Sequence, residues 1–181
     1  AGDALQSMAF EIIASSCNAN SDTKLAAVEL VARCSGARGM VIGQAIDLHF
    51  VDTQPNIDQL QTLHLHKTGA LIEASVVLGG LSAGASSSQI EQLLQFARAI
   101  GLAFQVQDDI LDVTADTDTL GKTQGADIER NKPTYVSLLG LEAAKHKASE
   151  LRDEALKSLA DFGKAANTLR ALATYIVDRD H

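Results

Sequence analysis

The feature that most constrains this chain is a group of acidic and amide side chains inside an otherwise apolar segment, residues 102–113. Gln105, Asp108, Asp109 and Asp112 recur at spacings that place all four within an arc of roughly 100° on one face of a helix. The apolar residues between them point elsewhere and can enter a core. The pattern therefore predicts a buried helix that presents one acidic face.

Carboxylates crowded on one helix face repel one another unless a counter-charge is present. Hard oxygen ligands suit Mg²⁺, which keeps several waters and is completed by substrate phosphates. The acidic face is therefore a candidate cation site. The alternative is an exposed acidic patch, which is what most charge clusters on helices are.

Length and composition favour one helical domain. The chain has 181 residues, of which 46% are hydrophobic and only two are proline. The formal charge of −8 argues against nucleic acid and anionic membrane surfaces as partners. An anionic ligand would therefore need a bridging metal. Cys17 and Cys34 lack metal-ligand spacing and favour a reducing, cytoplasmic compartment, and no apolar run is long enough for a membrane span.

Apolar periodicity and turn residues predict a series of helices joined by short loops. Asn56 with Gln59, and Ser88 with Glu91, have the spacing of capping boxes. The Gly79-Gly80 pair is expected to end one long helix. The predicted helices cover residues 4–14, 22–34, 36–47, 60–78, 89–113, a short helix opened by Pro133, 141–162 and 168–178.

Two further groups have side chains that fit a metal and diphosphate site. Gln44 and Asp47 lie one helical turn apart, and Lys67 and Thr68 place a cation and a hydroxyl inside an apolar helix. A lysine ammonium is a compact charge suited to phosphate oxygens. Taken singly, the first pair has the composition of an exposed helix end, and Lys67 could extend out of a buried face to solvent.

Lysines also flank the polar loop after the acidic helix, at Lys122 and Lys132. Each alone has the character of a solvated loop lysine. His64 and His66 lie about 200° apart on a regular helix, which argues against a shared metal ion.

Taken in order, these motifs resemble the trans-isoprenyl diphosphate synthase, or polyprenyl synthetase, family, and most closely its bacterial-type farnesyl diphosphate synthases. The resemblance extends over essentially the whole chain. It is carried by Gly43-Gln44-Ala45-x-Asp47, His66-Lys67-Thr68-Gly69, Phe104-Gln105-x-x-Asp108-Asp109-x-x-Asp112, Leu120-Gly121-Lys122 and residues 125–132.

The resemblance implies an all-α isoprenoid synthase helical bundle with a central active-site cavity. Residues 1–181 would form one helical domain, the carboxy-terminal part of a longer fold. The implied reaction condenses isopentenyl diphosphate with an allylic diphosphate, as in geranyl and farnesyl diphosphate synthesis, and releases pyrophosphate. The implied cofactor is Mg²⁺, and the implied protein is a cytoplasmic homodimer.

The resemblance also assigns roles to individual residues. Asp108 would bind Mg²⁺ directly, supported by Asp109, Asp112 and Asp127. The residues that would contact diphosphate or line the same cavity are Lys67, Lys122, Lys132, Gln44 and Asp47. Thr68 and Gln105 would stabilise the allylic cation through their oxygen dipoles.

One departure from the family pattern is large. Its first aspartate-rich motif, and the arginine pair that follows, are absent from these 181 residues. We therefore expect the chain to be the carboxy-terminal portion of a longer enzyme, inactive when isolated. The alternatives are a naturally short relative, a noncatalytic subunit of a heteromeric prenyl synthase, and a terpene cyclase.

Overall fold

The computed structural model describes residues 1–15, 18–50, 53–115 and 132–180. These ranges are helical and contain no strand, as the all-α prediction requires. A π-helical turn, Leu65–Gly69, joins α4 to α5, and a short 3₁₀ turn, Lys164–Ala166, precedes the last helix. The α-helices are α1 Gly2–Ser15, α2 Ser21–Ser35, α3 Met40–His49, α4 Ile57–His64, α5 Ala70–Ser82, α6 Ser87–Thr114, α7 Tyr135–Leu139, α8 Leu141–Ser158 and α9 Asn167–Asp178.

Helix starts are set by local hydrogen bonds. The Asn56–Gln59 capping box is confirmed, with both reciprocal bonds at 2.9 Å. The box predicted at Ser88 and Glu91 is wrong, because Ser86 and Gln89 form it two residues earlier.

The helix predicted at residues 36–47 begins only at Met40, because Gly36 and Gly39 form the turn that ends α2. The Gly79-Gly80 pair does not end its helix, which continues to Ser82. A Cβ on Gly80 would lie 2.7 Å from Leu93 Cδ1, so this glycine allows α5 and α6 to pack closely. The helix predicted to end at residue 162 ends at Ser158.

Helix α6 is the centre of the core. Its 28 residues span about 42 Å at 1.5 Å per residue, and it packs between α5 and α8. Phe96, Ala103 and Val106 of α6 are at most 1% exposed and pack with Leu60 and Leu159. This packing holds the carboxyl-terminal half of α6 at a defined place in the molecule. Among the described helices, none is both long enough and apolar enough to cross a membrane.

Candidate active site

The π-helical turn Leu65–Gly69 brings Lys67 and Thr68 against two other helices. A Cβ on Gly43 of α3 would lie only 2.3 Å from the Lys67 backbone nitrogen. A Cβ on Gly101 of α6 would lie 3.2 Å from Gly69 Cα. The absence of side chains at Gly43 and Gly101 therefore allows α3 and α6 to approach the turn. Single π turns are frequent at functional sites because they redirect side chains relative to a regular helix.

Lys67 forms an ion pair with Asp47 of α3. The Lys67 Nζ to Asp47 Oδ2 distance is 2.5 Å, and the side chains are 34% and 29% exposed. An ammonium carries three donors, so Lys67 retains capacity for a second anion while Asp47 holds it in place. Gln44, one turn earlier in α3, is exposed to solvent.

Thr68, Gln105 and Asp108 form a line of side chains from the π turn to α6. The Thr68 hydroxyl donates to Gln105 Oε1 at 3.2 Å, and Gln105 Nε2 donates to Asp108 Oδ2 at a long 3.4 Å. These contacts orient the amide with its oxygen toward Thr68 and its nitrogen toward the carboxylate. The structure therefore brings together three residues predicted from the sequence, and Lys67, the neighbour of Thr68 in the π turn, pairs with Asp47 of α3.

The three carboxylates of the acidic face have different surroundings. Asp108 is 41% exposed, whereas Asp109 and Asp112 are 7% and 1% exposed. Asp109 Oδ2 accepts the Tyr135 backbone N–H at 2.7 Å and so fixes the start of α7 against α6. Because two of the three carboxylates are buried, the alternative of an exposed acidic patch is wrong.

Arg179, the residue after α9, lies against the acidic helix. Its guanidinium donates to Asp108 Oδ1 and lies 4.6 Å from the centre of the Phe104 ring. Gln107 Nε2 donates to the Arg179 carbonyl at 3.0 Å. Sequence reasoning missed this residue because 71 positions separate Arg179 from Asp108 and no local spacing links them.

Residues 1–173 match the family model for polyprenyl synthetase. The chain belongs to the polyprenyl synthetase family. It is 48% identical to farnesyl diphosphate synthase of Escherichia coli over 99% of this chain and 62% of that protein. It is 45% identical to a chloroplastic geranylgeranyl pyrophosphate synthase of Catharanthus roseus, over the whole chain and 52% of that protein.

A solved geranyltransferase from Helicobacter pylori, complexed with magnesium and isoprenyl diphosphate, has the same fold. It is 35% identical, with a TM-score of 0.81 over 98% of this chain and 58% of that one. The isoprenoid synthase fold is thereby confirmed. The chain spans about six-tenths of the length of its bacterial relatives.

The family implies a magnesium ion, and Asp108 is the described residue that fits as its ligand. They contain no group of three Asp, Glu, His or Cys side chains placed to hold a metal. Mg²⁺ does not require such a group, because one or two carboxylates with waters and substrate phosphates are sufficient. Asp108 fits the role of single carboxylate, and the guanidinium beside it shows that the position accommodates a cation.

Of three further residues predicted for the site, the structure describes one, Lys132. Lys132 has an exposed side chain in the segment just before α7. Lys122 and Asp127 lie outside the described residues.

His64 is a second feature that motif reasoning did not anticipate. It is 6% exposed and stacks on the Tyr135 ring, with centroids 5.9 Å apart. Neither ring nitrogen makes a hydrogen bond of ordinary geometry to the described part of the chain. His66 instead lines a separate cavity of about 390 Å³ with Arg33, Arg38 and Glu73, so the two imidazoles face different regions.

Burial, reinforced by the charges of Lys132 and Lys67, lowers the pKa of His64 to about 4. The Gln105 amide and the Asp47 carboxylate oppose this shift. His64 is therefore neutral at physiological pH and lies among the lysines of the candidate site.

The depressed pKa predicts a specific loss of stability in mild acid. In the unfolded chain the imidazole has a pKa of about 6.5, so between pH 6.5 and 4 the unfolded state binds a proton that the folded state does not. The free energy of unfolding should fall by about 2 kcal/mol from pH 7 to pH 5 through His64 alone. Urea unfolding of wild type and His64→Phe at pH 7 and pH 5 measures this contribution. The two proteins have the same carboxylates, so the difference between their losses of unfolding free energy reports His64.

The matched control is His146→Phe, because His146 is exposed and makes only a surface pair with Glu150. Because that pair is exposed to solvent, its removal should change stability little, and the difference in unfolding free energy between pH 7 and pH 5 should stay much closer to that of wild type than it does in His64→Phe. An equal loss of stability between pH 7 and pH 5 in wild type and His64→Phe would contradict a neutral, buried His64.

Proposed function

We propose that this protein is a Mg²⁺-dependent prenyltransferase that condenses isopentenyl diphosphate with an allylic diphosphate and releases pyrophosphate. The observation that carries the proposal is that the π turn places Thr68 against Gln105, which contacts Asp108, beside the Lys67–Asp47 ion pair. A cation, two neutral oxygen-bearing groups and a half-exposed carboxylate are the groups that ionisation of an allylic diphosphate requires.

Each member of the group has a role set by its chemistry. Lys67, held by Asp47, would bind oxygens of the allylic diphosphate, which accumulate charge as the leaving group departs. Thr68 and Gln105 would direct oxygen dipoles at the carbon skeleton and stabilise the cation that forms there. Asp108 would hold Mg²⁺, which when bound neutralises charge on the departing diphosphate.

The remaining predicted residues would complete this site. We propose that Asp109, Asp112 and Asp127 support the metal position, that Lys122 and Lys132 contact diphosphate, and that Gln44 lines the same region. Asp109 would do so indirectly, because its carboxylate accepts the Tyr135 N–H and so places the segment that begins with Lys132.

The named relatives favour a synthase over a terpene cyclase or a noncatalytic subunit, since they are farnesyl and geranylgeranyl diphosphate synthases. Both alternatives would preserve the helices. A cyclase would release pyrophosphate from an allylic diphosphate without isopentenyl diphosphate, and a noncatalytic subunit would release none without its partner.

We also propose that these helices belong to a larger helical domain and that the protein is a cytoplasmic homodimer. Support comes from α1, where Leu5, Met8 and Ile12 are 59%, 45% and 49% exposed. Apolar residues grouped on one helix are typical of a surface that packs against further protein.

The proposed reaction predicts that the complete natural protein releases pyrophosphate only with Mg²⁺ and both substrates present. Excess chelator should abolish release, because Lys67 is already paired with Asp47 and the Asp108 carboxylate itself repels a diphosphate, so the positive charge of the metal is needed between them. A coupled pyrophosphate assay with each component omitted in turn is the measurement. Equal turnover in chelator would exclude the metal, and release without isopentenyl diphosphate would favour the cyclase.

A further inference from the structure

The guanidinium of Arg179 donates a hydrogen bond to one oxygen of Asp108, the carboxylate that the proposed function assigns to Mg²⁺. We propose that Arg179 is an internal counter-ion that a divalent cation displaces from Asp108, so that metal binding releases the segment after α9 from the acidic helix. This inference rests on the proposed function, since it requires Asp108 to bind metal.

Three contacts hold Arg179 against α6. The guanidinium bonds to Asp108 and covers the Phe104 ring, while the carbonyl accepts from Gln107. The Arg179 side chain is only 13% exposed, although it follows the last helix. Arg179 is thus held across one face of the helix that carries the proposed metal ligand.

Competition follows from the charges. Asp108 already contacts one cation through Oδ1, and its Oδ2 accepts from Gln105 at 3.4 Å. A divalent ion that takes the same carboxylate would be repelled by a guanidinium held in contact with it. The arginine must therefore move away as the metal enters, or the metal binds more weakly than the carboxylate alone would allow.

The contacts of Arg179 differ in how they respond to this exchange. The bond to Asp108 is lost when the metal binds the carboxylate. The contacts with Phe104 and Gln107 do not involve that carboxylate, so they are lost only if Arg179 moves. Because the backbone N–H of Arg179 closes the last turn of α9 on Tyr175 at 2.9 Å, movement of Arg179 should loosen that turn.

The experiment measures Mg²⁺ affinity by isothermal titration calorimetry on the complete natural protein with an unreactive allylic diphosphate analogue bound, because substrate phosphates complete the proposed Mg²⁺ site. Arg179→Met should bind Mg²⁺ about three- to tenfold more tightly than wild type, because a partly exposed ion pair no longer competes. The control is Arg152→Met, which removes the same charge from an arginine that pairs with Asp153 and with Asp178 of α9. Its Mg²⁺ affinity should stay within about twofold of wild type.

A second measurement follows the segment itself. Hydrogen exchange of the backbone amides at residues 176–180 should accelerate about threefold or more when Mg²⁺ is added to wild type with the same analogue bound. The same addition should leave exchange unchanged in Asp108→Asn, which lacks the charge that binds the metal.

The outcomes separate this inference from the proposed function. If Mg²⁺ binds in an Asp108-dependent manner but Arg179→Met matches Arg152→Met, or exchange does not change, the displacement is overturned and the metal site stands. If no variant shows Asp108-dependent Mg²⁺ binding, the proposed metal site fails and the inference fails with it.

Discussion

Asp108→Asn is expected to lower turnover by about a hundredfold to a thousandfold, the range for loss of one preorganised electrostatic group. Asparagine keeps the size of the side chain and its hydrogen-bonding capacity, so the change removes charge with little effect on packing. Asp108 is the half-exposed member of the acidic face, since Asp109 and Asp112 are buried. Asp108 is thus the carboxylate that a bound Mg²⁺ can reach, and the loss of turnover should appear in kcat when Mg²⁺ is present.

The measurement is steady-state pyrophosphate release at saturating substrates, with urea unfolding to show that the variant is folded. The matched control is Asp161→Asn, which alters an exposed carboxylate bonded to Gln92 at 2.8 Å. Turnover of this control should remain within about twofold of wild type. Wild-type turnover in Asp108→Asn would remove α6 from the proposed metal site.

Gly43→Ala is expected to lower the free energy of unfolding by about 1–3 kcal/mol, the usual cost of overpacking a close contact. The new Cβ would lie 2.3 Å and 2.4 Å from the Lys67 backbone N and Cα. Backbone atoms cannot rotate aside as a side chain can, so α3 must move away from the π turn. This movement also separates Asp47 from Lys67, and the KM for the allylic diphosphate should rise.

Gly79→Ala is the matched control. It lies inside α5, and a Cβ there would meet nothing within 4 Å. Alanine in a helix interior should stabilise the protein by up to about 1 kcal/mol relative to glycine. Urea unfolding of both variants measures how the same added methyl group changes the free energy of unfolding at each position. Equal stability of Gly43→Ala and wild type would show that α3 and the π turn are not tightly packed.

Local features of the sequence predicted most helices but misplaced several ends. Asn56 and Gln59 are sufficient to start α4, because each satisfies a backbone group of the other. Gly79-Gly80 misled the prediction, since glycine favours a helix end but also permits close packing. The close contact at Gly80 involves Leu93, thirteen residues later in α6, so it follows from the packing of α5 on α6 and not from the glycine pair itself.

In the candidate site too, local spacing predicted some features and tertiary packing decided others. Spacing alone placed Gln105 and Asp108 on one face of α6, because a helical period requires it. It did not distinguish Asp108 from Asp109 and Asp112, whose burial depends on α7 and the core. The roles proposed for these residues remain predictions for the experiments above.

The sequence by itself determined that this chain is helical and that α6 carries an acidic face, since both follow from residue types at short spacing. Only the tertiary structure decided which carboxylate stays exposed, that Asp47 holds Lys67, and that Arg179 lies against Asp108. These contacts join residues 20 and 71 positions apart. No local pattern specifies such pairs, because they form only when packing of the helices brings distant segments together.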